Sequence, residues 1–170
     1  MSSFYLKEIK DNIPESFENP ILIVGMPGIA NVGKNAVLNI IDDLGAKKIY
    51  EILYRDFPAQ VVISQNGILN VPTASIYFNK NSSIKKDILL MTGDFQPTTP
   101  QGIYDFSNNI ASIIKKMNIE LVISTGAYMS NIKVSSPKVY VSGTSEKVIK
   151  KFLKYDNSVL MEVGMISGAN

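Results

Sequence analysis

Cysteine and histidine are both absent from this chain of 170 residues. Without cysteine there is no disulfide and no thiolate chemistry. Without histidine as well, no Ser-His-Asp or Cys-His nucleophile system can exist, and no zinc site of the usual Cys/His type. The usual neutral-pH general base is missing too. Catalysis would fall to carboxylates, Lys, Tyr or bound Mg²⁺, which points away from an enzyme. No residue qualifies as catalytic, and neither a metal nor a cofactor is expected. Charge of one sign is not in excess either, with 17 basic and 15 acidic side chains interspersed and a net charge of +2. No basic stripe or arm stands out, so no nucleic-acid partner is expected. No apolar run approaches the roughly eighteen residues of a membrane-spanning helix. The start, Met1 to Lys7, lacks the charged-then-apolar form of a signal peptide. A cytoplasmic protein without a membrane partner is the expectation.

What is present is a hydrophobic fraction of 45% in a length suited to one domain with a real core. Ile21–Val24 is an all-apolar run of the kind found in a strand buried on both faces. Asn31 is placed to cap a helix in which Val32, Ala36, Val37, Ile40, Ile41 and Leu44 recur at helical spacing, and Gly45 is a stop signal. Lys48–Leu53 reads as the next strand. Ala59–Gln65 and Ile68–Asn70 flank Asn66-Gly67, a hairpin signal, and Thr73–Phe78 continues antiparallel. The polar stretch Asn79–Lys86 reads as a surface loop. Asp87–Met91 and Glu120–Ser124 are predicted buried strands. Between them Thr99 and Pro100 open a helix whose buried stripe is Ile103, Phe106, Ile110, Ile113, Ile114 and Met117. Lys138–Ser142, a helix after Gly143-Thr144, and Val159–Val163 complete the pattern. Strands alternating with helices imply an α/β sandwich whose mixed sheet is mainly parallel, with the hairpin block as an insert. Residues 1–170 are read as one α/β domain.

The segment Gly28-Ile-Ala-Asn-Val-Gly33-Lys34-Asn35 has the spacing of a phosphate-binding P-loop. It departs at the last position, where a P-loop needs a Ser or Thr hydroxyl for Mg²⁺ and this chain has Asn35. No Walker B partner follows; in Leu89–Asp94, Thr-Gly separates the apolar run from the acid. The segment is either an anion cradle at a helix N-terminus or a tight strand-to-helix turn in which glycines let the helix pack closely. The loops Gly25–Gly33, Thr92–Pro97, Thr125–Tyr128 and Gly164–Asn170 all follow predicted strands and all contain glycine. In open α/β sheets such loops gather on one edge, where ligands bind. Candidate ligand-binding residues on this rim are Gly25, Gly28, Gly33, Lys34, Gly93, Asp94 and Tyr128. Against each stands a plain alternative: glycines serving turns, Asp94 capping backbone amides, Tyr128 packing through its ring.

The order of these motifs resembles a known family. Gly25-Met-Pro-Gly-Ile-Ala-Asn-Val-Gly33, Phe57-Pro58, Leu89-Leu-Met-Thr-Gly-Asp-Phe-Gln-Pro97, Thr125-Gly-Ala-Tyr128 and Gly164-Met-Ile-Ser-Gly-Ala-Asn170 look like the archaeal branch of the proteasome assembly chaperone family, whose eukaryotic relative is proteasome assembly chaperone two. The resemblance runs from about Ile21 to the last residue. It implies a Rossmann-like, three-layer α/β/α sandwich related to the phosphorylase/hydrolase-like folds. It also implies a non-enzymatic chaperone that binds proteasome core-particle α subunits and self-associates. Some members carry a C-terminal hydrophobic-Tyr-X tail that docks between α subunits. This chain stops at Gly168-Ala-Asn170, on a turn after which a helix is expected. The expectation is therefore a C-terminally incomplete domain that lacks the tail. The rival expectation is a small-ligand or nucleoside/phosphate-binding enzyme on a phosphorylase-like scaffold, using Gly25–Lys34.

Overall fold

A computed structural model describes residues 3–81, 85–129, 136–166 and 168. The chain divides into two compact units, one of residues 1–127 with 168–170, the other of residues 128–167.

The first unit is built on a six-stranded sheet with the order β1-β3-β6-β7-β2-β8. Its strands are β1 (Phe4–Glu8), β2 (Ile21–Val24), β3 (Lys47–Tyr54), β6 (Ala74–Asn81), β7 (Lys86–Gly93) and β8 (Leu121–Ser124). A separate two-stranded hairpin, β4 (Val62–Ile63) with β5 (Leu69–Asn70), lies between β3 and β6 in the chain. Its turn holds Gly67 at φ 78°, the left-handed region that the Asn-Gly signal serves.

The sheet is mixed, as expected, but not mainly parallel. β2 runs parallel to β7 and β8, whereas the β1–β3, β3–β6 and β6–β7 ladders are antiparallel. Between β6 and β7 the reason is connection length: a parallel neighbour needs a crossover of a dozen or more residues, and only residues 82–85 separate the two strands. Between β3 and β6 the longer link, residues 55–73, carries the β4–β5 hairpin rather than a crossover helix. The Asn79–Lys86 stretch read as a loop is mostly ladder: β6 runs to Asn81 and β7 starts at Lys86, with Lys80 opposite Asp87. Cross-strand pairing outweighed the polar composition there; residues 82–84 lie outside the described set.

Two helices hold the apolar faces. α1 (Val32–Leu44) ends at Gly45, whose φ of 59° makes it a left-handed cap. Val37 and Ile41 of α1 pack with Ile88 and Leu90 of β7 and with Ile21 and Ile23 of β2. Val32, expected in this stripe, sits in the first turn and is exposed. Asn31 precedes the helix but does not cap it through its side chain, because it is itself left-handed at φ 53°. α2 (Pro100–Lys116) opens as expected, with the Thr99 side chain accepting from the Gly102 N–H. Its Phe106, Ile110 and Ile113, with Met117 just beyond, pack with Leu22 and Val24 of β2 and Leu89 and Met91 of β7. Adjacent residues of one strand thus enter different clusters, as the pleat requires. Phe106 lies among the rings of Phe4, Tyr54 and Phe57, with centroids 5.9, 5.5 and 5.7 Å away. β8 was expected to be buried, but it ends the strand order, and Val122 and Ser124 are exposed.

The second unit contains β9 (Val139–Val141) and β10 (Ser158–Leu160), paired in parallel, with α3 (Glu146–Phe152) between them in the chain. The Ser145 side chain accepts from the Val148 N–H at the start of α3, and Glu146 pairs with Lys150 one turn on at 3.0 Å.

Candidate functional site

β2 lies between its two parallel neighbours, so the loops leaving β2, β7 and β8 meet at one edge of the first unit. Hydrogen bonds tie them together. The Gly25 N–H donates to the Met91 carbonyl at 2.9 Å, and the Thr92 hydroxyl donates back to the Gly25 carbonyl at 2.7 Å. The Thr125 N–H and hydroxyl both donate to the Val24 carbonyl, at 2.8 and 2.9 Å. The Gln96 side-chain amide donates to the Pro27 carbonyl.

The glycines there differ in use. A Cβ on Gly25 would lie 2.2 Å from the Gly33 carbonyl oxygen, and one on Gly33 would lie 2.3 Å from the Thr125 carbonyl oxygen. These two glycines let the start of α1 rest on the strand ends, and they leave no space for a ligand between. Gly28 is exposed, and a Cβ there would meet nothing nearer than the Gln96 amide nitrogen at 3.9 Å. Gly93 stands opposite Ala74, and a Cβ on it would lie 3.0 Å from Met26 Cε. Gly168, at φ 91°, comes close to the Gln96 amide. Residues 167, 169 and 170 of the fourth predicted loop lie outside the described set.

Asp94 is engaged with backbone. Its Oδ2 accepts from the Thr73 N–H at 3.0 Å, while its own N–H donates to the Thr73 carbonyl at 2.8 Å. Lys34 and Asp94 line one groove of about 490 Å³ over the α1 side of the sheet. Its floor includes Lys48, Glu51, Ser75 and Tyr77, and Val62 and Asn70 of the hairpin form part of its wall. Glu51 takes an ammonium on each side, Lys7 and Lys48, both at 3.2 Å. Burial pushes the Glu51 carboxyl up, but the hydrogen bonds and charges of the two lysines outweigh it and hold it below its usual value. Lys34 forms no ion pair among the described residues. Tyr128 belongs to the second unit, where its ring lies 4.9 Å from that of Tyr140. Among the described residues, no group of three or more acidic side chains could hold a metal ion, and no helix is long and apolar enough to cross a membrane.

Sequence reasoning passed over three groups. Lys48 and Glu51 read only as strand positions; they pair within β3, across the irregularity between Lys48 and Tyr50, and strand register brings Lys7 opposite Glu51. Gln96 was visible inside its motif, but its tie to Pro27 spans 69 positions. Asp56 has no motif at all. Its carboxylate accepts from the Thr99 N–H at 2.8 Å and the Thr99 hydroxyl at 3.0 Å, so an anion sits at the start of α2. The Thr99 backbone bond is the largest cause of a carboxyl held below its usual value; burial opposes it, and the Thr99 and Thr98 side chains assist. A Cβ on Gly102 would lie 1.9 Å from Asp56 Oδ2, so this seat requires glycine in the first turn.

A pH dependence follows. Because its folded pKa is lowered, Asp56 contributes stability that is present above its unfolded pKa, near 3.9, and is lost as pH falls through the lower folded value. Asp56→Asn should cost about 1 kcal/mol at neutral pH, a hydrogen-bond value reduced for solvent access. The difference from wild type should shrink below about pH 4. Urea midpoints of both proteins across that range measure it; a constant difference would remove the charge from the account.

Comparisons with known proteins bear on this arrangement. The uncharacterized protein MJ1210 of Methanocaldococcus jannaschii is 28% identical over 169 residues, which cover 99% of this chain and 64% of that protein. This chain thus spans about 64% of that relative's length. Among solved structures, Pyrococcus furiosus PbaB, an archaeal proteasome activator, matches with a TM-score of 0.89 at 24% identity, over 99% of this chain and 72% of that one. Pyrococcus furiosus PbaA, an archaeal homolog of proteasome-assembly chaperone, matches with a TM-score of 0.76 at 24% identity, over 99% of this chain and 64% of that one. These two likenesses establish the mixed α/β fold. The resemblance drawn from the Gly-Met-Pro-Gly and Thr-Gly-Asp-Phe-Gln-Pro motifs holds, and the structure shows those motifs fastened to each other. The PAC2 family model matches residues 22–170, all of the chain but the segment before Leu22, and the chain belongs to that family.

Proposed function

We propose that this chain is a non-enzymatic, proteasome-assembly-chaperone-like protein of the cytoplasm that binds α subunits of the proteasome core particle and self-associates. The observation that carries this reading is the family match over residues 22–170, joined to a fold like those of PbaA and PbaB. The strand-end loops support it. Thr92, Gln96 and Thr125 spend their polar groups on neighbouring backbone, and the Asp94 carboxylate is held by the Thr73 N–H. A rim locked in this way suits a rigid binding scaffold better than proton transfer. Gly28 and Gly126 are exposed rim glycines with open space above them, where another chain's backbone can approach. We further read residues 1–170 as part of one α/β domain of the three-layer, Rossmann-like type, with α1 and α2 on opposite faces of the sheet.

A second reading is favoured by one observation: Lys34 lines a groove without an ion pair among the described residues. A phosphate or nucleoside ligand would then sit beside Lys34. Native mass spectrometry of the protein mixed with recombinant α subunits, at about 10 µM each, tests the first reading, since a working interface binds at or below that range. A defined complex is expected. Its absence, together with phosphate retained by the wild type and lost by Lys34→Ala, would replace the first reading with the second.

A further inference from the structure

On one face of the sheet, Val37 and Ile41 of α1 pack over β2 and β7, and the groove opens beside them over β3 and β6, with the hairpin as a wall. Register sets its floor. Glu51, Ser75 and Thr92 are successive partners across β3, β6 and β7, so their side chains stand on one face. Their chain neighbours Ile52, Ala74, Ile76 and Met91 go to the α2 side. Glu51 gives one oxygen to Lys7 and the other to Lys48, and the Thr92 hydroxyl donates to the Gly25 carbonyl. Ser75, between them, is only 6% exposed, yet its hydroxyl has no hydrogen-bond partner among the described residues. No fully enclosed polar side-chain atom lacks a partner among those residues, so this hydroxyl reaches the groove that Ser75 lines. Buried polar groups are nearly always hydrogen-bonded. A hydroxyl left open in this place calls for a partner that the chain does not itself supply.

Two charges line the same groove without a counter-ion. Lys34 forms no ion pair among the described residues, and the Asp94 carboxylate meets the Thr73 N–H rather than a cation. The two do not pair with each other. A ligand carrying both an anionic and a cationic group answers both. A phosphate dianion would answer Lys34 alone, and it would meet the like charges of Asp94 and Glu51 in the same groove. Leu38, Leu53, Val62 and Val71 add an aliphatic lining, and a volume of about 490 Å³ lies within the range of small-molecule sites. We propose that the groove binds an α-amino acid with an aliphatic side chain. Its carboxylate lies at Lys34 and accepts from the Ser75 hydroxyl, its ammonium lies at Asp94, and its side chain lies along the leucines and valines. The inference shares the Lys34 groove with the second reading above but gives it a ligand of different charge, and it is independent of α-subunit binding.

Isothermal titration of the whole chain with L-leucine should give a dissociation constant of about 0.1 mM or below. Isocaproate, which lacks the amino group, and isopentylamine, which lacks the carboxylate, should each bind at least about tenfold more weakly. Lys34→Met should weaken leucine binding at least about tenfold and leave isopentylamine unchanged. Asp94→Asn, whose amide oxygen still accepts from the Thr73 N–H, should weaken leucine and leave isocaproate unchanged. Ser75→Ala should weaken leucine about fivefold, the worth of one hydrogen bond. Its thermal unfolding should match wild type, since the hydroxyl bonds nothing within the protein. A Ser75→Ala variant that is less stable would show the hydroxyl engaged within the fold and overturn the inference. So would the absence of heat from leucine up to about 10 mM, or leucine binding untouched by all three substitutions. Phosphate bound in place of leucine, and lost in Lys34→Ala, would overturn it in favour of the second reading.

Discussion

Gly33→Ala is expected to destabilise the protein by about 3 kcal/mol or more, at the upper end of overpacking costs. The new Cβ would lie 2.3 Å from the Thr125 carbonyl oxygen and 2.9 Å from its carbon. Both are backbone atoms, so no rotamer change relieves the clash. Thr125 is itself pinned, with its N–H and hydroxyl on the Val24 carbonyl. Relief therefore requires α1 to lift from the strand ends, and that movement would draw Val37 and Ile41 away from Ile88 and Leu90. Gly28→Ala and Gly126→Ala are the controls, since a Cβ at either position meets nothing closer than 3.9 Å. Each should stay within about 0.5 kcal/mol of wild type. Urea midpoints of the three variants check the ordering. Equal losses at all three would mean that the glycines act through chain flexibility rather than close approach.

Phe106→Ala should cost about 3–5 kcal/mol, a large part of the 5–15 kcal/mol typical of a whole domain. The Phe106 side chain is 1% exposed and touches the rings of Phe4, Tyr54 and Phe57. Those partners come from β1, the end of β3 and the segment after it, so the lost ring leaves a cavity that no single element can close. Tyr54 is further held by its hydroxyl, which donates to the Gly102 carbonyl at 2.9 Å, and so cannot swing inward. Tyr104→Ala, two residues away on the same helix but 71% exposed, should change stability by less than about 0.5 kcal/mol. A loss at Phe106 no greater than that at Tyr104 would contradict the packing described for α2.

The α2 stripe shows how far local pattern carries. Phe106, Ile110, Ile113 and Met117 recur at intervals that return to one helix face, and Thr99-Pro100 carries start signals that act within a turn. Nothing distant is needed to read either. The same holds for Gly45 after α1 and for the Asn66-Gly67 turn. The family likeness was legible for a similar reason, because its motifs are short, contiguous and ordered along the chain.

Strand direction was not legible. An apolar run such as Leu89–Met91 looks the same beside a parallel or an antiparallel neighbour, and direction is settled only when connections close. Nor could composition say which glycine does what. Gly25, Gly28 and Gly33 are equivalent in the sequence. Two of them are spacers against the Gly33 and Thr125 carbonyls, and one faces open space. Asp56, Glu51 and Gln96 hold partners 43, 44 and 69 positions away. By itself, then, the sequence determined the local elements, their caps and the family, since each of these depends on residues within a few turns of one another. Tertiary structure alone decided the sheet's direction, the locking of the rim and the lining of the groove, because those depend on atoms that become neighbours only once the chain has closed on itself.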